Sequence, residues 1–176
     1  MTHITDVHAA EYDDYTSSYI ARIEDGTLTT NLEHSRDRVL ALWSSLRPHH
    51  WSWRPEPGRW TPSDIAQHQI DVERVFAYRI LRFSRGDETA LPGFDVDDFA
   101  AAAGAENRPP AELIDDFRIA RDSTLALVRS LHADALTHGG TASGSFISAR
   151  AAAFKLCGHD HHHCDVMEQQ YLSGVG

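Results

Sequence analysis

The sequence predicts an all-α protein, a four-helix bundle with a short N-terminal helix and a long connection between helices 2 and 3. Three observations carry this. Apolar residues recur at helical spacing along most of the chain. Runs alternating apolar and polar residues are scarce. Turn residues leave four long helical stretches, the number a bundle needs. At 176 residues one domain, 1–176 with a core of about 10–172, is expected.

The elements follow in chain order. A short leader helix is expected over Ala10 to Ile23, stopped by Asp25-Gly26. The first long helix runs from Asn31 to Leu46, with Leu32, Val39, Leu42, Trp43 and Leu46 as its apolar stripe and Pro48 as its stop. Two prolines and a glycine make Trp51 to Gly58 a loop. The second long helix opens sharply, with Thr61 as N-cap and Pro62 at the first helical position, where its missing N–H costs nothing. It runs to Ser84. Asp87 to Gly104 is an acidic connection with one helical turn near Val96–Ala102, long for a bundle and so a candidate functional segment. The third long helix runs from Pro109-Pro110 to Leu131, a Gly/Ser/Thr-rich loop covers Ala133 to Ser145, and the last helix spans Ser145 to Leu172.

Composition excludes several functions. The net charge is −10, with 26 acidic against 16 basic residues and no basic run, so nucleic acid is not expected as a partner. Neither is an anionic membrane, and no stretch approaches the ~20 apolar residues of a spanning helix. The N-terminal residues lack the pattern of a signal peptide, so a cytoplasmic location is expected. Cys157 and Cys164, seven residues apart on one helix, are too far apart for a disulfide and are expected to be buried free thiols.

Two counts stand out: 12 histidines, and a single lysine, Lys155, against 15 arginines. Most histidines are scattered. Five are not: His68, and His159, His161, His162 and His163 within Gly158-His-Asp-His-His-His163. On a helix, His159 and His163 face the same way, about 40° apart, on a mostly apolar stripe; His162 lies on its flank and His161 points away. Two imidazoles at i, i+4 are the pair one helix offers to one metal. His68 lies on the inward stripe of the second long helix with Ile65, Val72 and Val75. Together they predict a three-histidine metal site with open positions. The sequence contains no His-Glu-x-x-His, no phosphate-binding glycine loop and no Gly-x-Ser-x-Gly.

Other residues surround this set. Asp64 precedes His68 by one turn and either orients its imidazole or serves the helix N-terminus. Asp71 and Glu73 read as charges on a solvated face or as partners of Arg74. Arg79 lies on the His68 face, as an ion-pair partner or a substrate contact. Lys155 precedes His159 by four residues, as a snorkelling side chain or a cation for a substrate carboxylate. Trp51, Trp53, Trp60, Phe94 and Phe99 read as core plugs or a pocket wall.

The stretches Gly58 to His68, Asp71 to Arg74, Ala77 to Arg82, Arg85 to Asp95 and Gly158 to His163 resemble the DinB superfamily, particularly its YfiT-like branch of metalloenzymes. The resemblance covers about Glu11 to Leu172. It implies an up-and-down four-helix bundle, often a homodimer, with a divalent metal (zinc, nickel or iron) held at the positions of His68, His159 and His163. It also implies a small-molecule substrate. Some relatives transfer low-molecular-weight thiols such as bacillithiol or mycothiol. Others resemble maleylpyruvate isomerase. The family usually has Glu after the first histidine of the last helix; this chain has Asp160.

Three neutral imidazoles would leave the metal its full charge, enough to acidify a bound water or thiol. Thiol-dependent S-transfer and metal-hydroxide hydrolysis are the two reactions expected. The motif's lack of a strong general base favours transfer, and Asp64, Asp160 and His162 are the candidate helpers. The alternative is a metal-binding or stress-response bundle without catalysis.

Overall fold

The structure, a computed structural model, describes residues 1–172. The last four positions of the predicted 1–176 domain lie outside the described residues. Seven helices and one hairpin follow in order: α1 (Asp14–Ile20), α2 (Leu28–Ser45), α3 (Pro62–Ser84), α4 (Val96–Ala103), α5 (Pro110–Arg129), α6 (Ala133–Thr137), β1 (Gly139–Ala142), β2 (Ser145–Ser148) and α7 (Ala149–Met167). A π-helical turn, Glu168–Leu172, extends α7. No helix among the described residues is long and apolar enough to cross a membrane.

The four long helices α2, α3, α5 and α7 form the bundle. α2 packs on α5 and α7, and so does α3. Consecutive helices α2 and α3 therefore face each other across a diagonal, as do α5 and α7. Their long connections make these crossings feasible. The arrangement also sets α3 beside α7, the two helices that carry His68 and the histidine cluster.

Caps decide where the helices start. Thr61 and Asp64 form a reciprocal capping box at the start of α3: Asp64 N–H donates to Thr61 Oγ1 at 3.2 Å, and Asp64 Oδ2 accepts from Thr61 N–H at 2.9 Å. The leader helix is shorter than predicted. Asp13 accepts from Thr16 N–H at 2.8 Å and starts α1, while Ala9–Glu11 forms a separate 3₁₀ turn. The last helix starts at Ala149, not Ser145, because Ser148 Oγ accepts from Ala151 N–H at 3.1 Å.

The segment read as a plain loop, Ala133 to Ser145, holds α6 and the first strand of a hairpin that continues to Ser148. Ser143 (φ 54°) and Gly144 (φ 86°) make its two-residue turn, the left-handed kind that suits a hairpin. A Cβ on Gly140 would stand 2.5 Å from the Phe83 ring, so only glycine lets the strand lie on that side chain. Leu91, in the connection after α3, pairs with the strand through Leu91 N–H to Thr141 O (2.9 Å) and Ser143 N–H to Leu91 O (3.1 Å). The connection and the hairpin are thus tied together.

The apolar core has two parts. One contains Leu32, Val72, Phe76, Leu125 and Leu156; the other contains Val39, Ile65, Leu113, Phe117 and Cys164. Between them each bundle helix contributes polar side chains: Ser35 on α2, Gln69 and Glu73 on α3, Arg121 on α5, and His159 and Asp160 on α7, all buried. A continuous polar layer therefore crosses the bundle.

Candidate metal centre

His68 and His159 are buried, and His163 is half-buried. His159 Nε2 lies 3.0 Å from His68 Nε2 and 3.1 Å from His163 Nε2. One nitrogen from each of the three lies within 4.8 Å of the others. Each ring nitrogen has either one N–H or one lone pair. A single His159 Nε2 therefore cannot satisfy two such neighbours. A cation in the middle resolves the conflict by accepting all three lone pairs. Tetrahedral ligands ~2.0–2.1 Å from zinc stand about 3.3 Å apart, close to the separations here. The residues fit a metal.

Their electrostatics suit it too. Burial lowers the His68 pKa to about 4, with the nearby His162 acting in the same direction. Burial, together with the mutual proximity of the histidines, holds His159 and His163 well below the usual histidine value. At neutral pH all three offer lone pairs. His163 Nδ1 is buried without a hydrogen-bond partner, so packing against His68, His159 and His162 holds that ring.

A cavity of about 410 Å³ opens on the triad. Trp60 packs on His68 at 4.9 Å between ring centroids, and Tyr171 Oη donates to Trp60 O at 2.7 Å, holding that corner. Tyr19 of α1 packs on His159 at 5.6 Å and edge-on to His162 at 5.7 Å. The close approach of α1 depends on Gly158, where a Cβ would stand 2.1 Å from Tyr19 O. A second cavity of about 460 Å³ shares Trp60, His162 and His163 with the first.

The structure brings His68, His159, His163, His162, Lys155 and Arg79 to the first cavity and sends the two carboxylate helpers elsewhere. Asp64 is occupied by the cap of α3 and makes no bond to an imidazole. Asp160 is turned into the polar layer, where it accepts from Arg121 Nη2 at 2.6 Å and Gln69 Nε2 at 3.0 Å. Burial raises its pKa against the pull of Arg121. Glu73 is not on a solvated face: it is 1 % exposed and holds Arg121 with both oxygens, at 3.0 and 2.7 Å. Its partner is Arg121 of α5 and not Arg74, because the α3 face that carries Glu73 is covered by α5. His161 points away, 3.3 Å from Arg38 Nη1. Cys157 and Cys164 are buried, free, and pushed up to about 12 by burial.

Of the loop aromatics, Trp60 and Phe94 line the cavity, Trp51 is core, Trp53 packs on Tyr171, and Phe99 packs on Phe94. Sequence reasoning missed the α1 wall, Tyr15, Thr16 and Tyr19, and the hairpin wall, Ser143, Ser145 and Phe146. The i, i+4 tyrosine pair in the leader helix was a readable signal for the first. The hairpin's small residues left none.

The sequence model of the DinB superfamily matches residues 31–167. No curated protein matches the sequence. Among solved structures, YfiT from Bacillus subtilis, described as "a probable metal-dependent hydrolase with an unusual four-helix bundle topology", superposes with a TM-score of 0.75 at 15 % identity, over 83 % of this chain and 85 % of that one. The mycothiol-dependent maleylpyruvate isomerase superposes with a TM-score of 0.68 at 15 % identity, over 94 % of this chain and 62 % of that longer one. At these identities the likeness is one of fold. The family match spans most of the chain and includes all three converging histidines: the chain belongs to the DinB superfamily.

Proposed function

We propose that the protein is a divalent-metal-dependent enzyme of small molecules, with His68, His159 and His163 as metal ligands and S-transfer from a low-molecular-weight thiol as its reaction. The observation that carries the transfer reading is the pair of cavities meeting at His162 and His163. The first cavity reaches all three imidazoles and the second reaches His163, so a second ligand would come in beside the triad, as a two-substrate reaction needs.

A bound zinc, nickel or iron ion supplies the positive charge that acidifies a thiol or water beside it. The chain's own groups do the rest. Trp60 and Tyr19 pack on the ligand rings and keep bulk water from them. In transfer, a carbon–sulfur bond forms, the bond to the displaced group breaks, and the thiol proton leaves with that group. We assign this proton to His162, which lines both cavities.

Hydrolysis is the second reading. His162 could take a proton from water in the same place, and the Bacillus subtilis neighbour is described as a hydrolase. The test loads the protein with each metal in turn and offers monochlorobimane with and without a thiol, then esters without thiol. Thiol-dependent bimane fluorescence that disappears in His159→Ala supports transfer. Ester cleavage without thiol, and no thiol turnover, replaces transfer with hydrolysis. Stoichiometric metal with neither activity leaves a metal-binding bundle, and no metal at all removes the reading. A cytoplasmic homodimer is part of the same proposal, checked for assembly by the solution mass of the purified protein.

A further inference from the structure

The acidic chain places an unpaired pair of cations in its first cavity. Arg79 is 5 % exposed, yet among the described residues it has no carboxylate within ion-pair distance. Its Nη2 donates to Ser143 Oγ at 2.8 Å and Pro92 O at 3.2 Å. Nε and Nη1, which carry three of the five guanidinium N–H donors, make no hydrogen bond among the described residues, and Arg79 lines the cavity. The other buried arginine, Arg121, is paired with Glu73 and Asp160, and the half-buried Arg150 is paired with Glu11.

Lys155, the only lysine, lines the same cavity and also lacks an ion pair among the described residues. Its ammonium lies 4.6, 5.2 and 5.7 Å from the Tyr15, Phe76 and Tyr19 ring centroids and donates to Thr16 Oγ1 at 3.3 Å. Arg79 lies 4.9 Å from the same Phe76 ring. Burial, reinforced by Arg79, lowers the Lys155 pKa to about 8 against the pull of Asp13, so it is still mostly protonated at neutral pH. Asp13 is the one carboxylate on the described lining, and Thr16 and Ser145 occupy it.

A buried charge without a counter-charge costs stability and persists where a ligand supplies the partner. We infer that the cavity selects a small organic acid, whose carboxylate is received by the free donors of Arg79 with Lys155 as the second cation, while its apolar body lies along Val72, Phe76 and Phe94 toward the three imidazoles. The cation pair then sets which substrate is presented to the metal. This deepens the reading of the cavity as a substrate site; it requires neither the metal nor a choice of reaction.

The test uses benzoate, benzamide and benzylamine as probes of one shape and three charges. Binding is read by titration calorimetry and by the intrinsic tryptophan fluorescence of the full chain, with and without zinc. Benzoate is expected to bind at least tenfold more tightly than benzamide, and benzylamine not at all. Arg79→Gln and Lys155→Met should each weaken benzoate about tenfold, the order of a lost charge-assisted hydrogen bond. Omitting zinc, which leaves every lining side chain in place, should keep benzoate binding within about threefold.

Retained benzoate binding in a protein that holds no metal and turns nothing over supports the inference while the enzyme reading fails. Equal binding of benzoate and benzamide, no benzoate binding, or unchanged affinity in both cation variants overturns it. So does benzoate binding that is lost without zinc but kept in the cation variants, since the anion would then sit on the metal. If Arg79→Gln loosens the hairpin and does not fold, Lys155→Met decides alone.

Discussion

His159 and Asp160 are neighbours on α7 and enter two different buried sites. Asp160 joins Arg121, whose five N–H donors are all used: Nε and one Nη2 N–H on Glu73, the other Nη2 N–H on Asp160, and Nη1 on Leu32 O and Ser35 Oγ. His159 joins a site where one nitrogen meets two others, a neighbouring ring nitrogen has no partner, and two cations make no ion pair among the described residues. Both sites are buried and polar. The difference is saturation. It is saturation of the charged groups: every N–H of Arg121 meets an acceptor, although Gln69 Oε1 beside it has no partner, whereas Arg79 and Lys155 make no ion pair among the described residues.

The largest expected effect falls on the saturated side. Arg121→Met leaves Glu73 and Asp160 buried without their cation and should cost about 3–5 kcal/mol, read by urea unfolding. A loss under about 1 kcal/mol would mean that the network is not a structural element. On the unsaturated side, His159→Ala should lower metal affinity more than ~100-fold, since even outer partners of ligands are worth 10–100-fold. Its metal-free melting temperature should hold or rise, because a crowded buried imidazole is removed. Metal retained at full stoichiometry would break the comparison.

Gly158→Ala separates the two sites differently. Its new Cβ would meet Tyr19 O and push α1 off α7, an overpacking cost of about 1–3 kcal/mol. The cavity wall moves while Arg121 keeps its partners. Ligand binding should therefore fall with the unfolding transition still cooperative; unchanged binding would mean that α1 is dispensable to the site.

Arg150 tests an intermediate case, a paired arginine near the surface. Burial alone would raise Glu11, but Arg150, the His8 N–H and Ser148 hold its pKa down at about 2, from 4.5. The unfolded chain binds this proton first as pH falls. The contribution is thus fully present above 4.5 and is lost toward pH 2. Glu11→Gln should flatten the stability profile in that window and leave it unchanged at neutral pH relative to pH 5. The smallest effect is expected at Lys155: Lys155→Met should change stability by less than about 1 kcal/mol, because relief of a buried charge offsets one long hydrogen bond. A larger loss would move Lys155 to the saturated class.

Much of this site was legible from spacing. His159 and His163 share a helix face by i, i+4 geometry, which holds wherever that helix packs, and Thr61-Pro62 starts α3 by local capping. Asp64 illustrates the limit. Its position allowed a bond to His68 or to the helix end, and the helix end won because Thr61 offers both its N–H and its hydroxyl to Asp64 Oδ2. Glu73 shows the opposite failure, a charge whose partner lies 48 residues away on another helix.

The sequence alone therefore determined the helices, their inward faces and the three imidazoles, because these depend on rotation per residue and on local hydrogen bonds. Tertiary structure alone decided which helices are neighbours, and with them the Arg121 network, the α1 wall beside Gly158 and the hairpin over Arg79. Those features depend on contacts between distant segments, and a one-dimensional pattern carries no record of which faces meet.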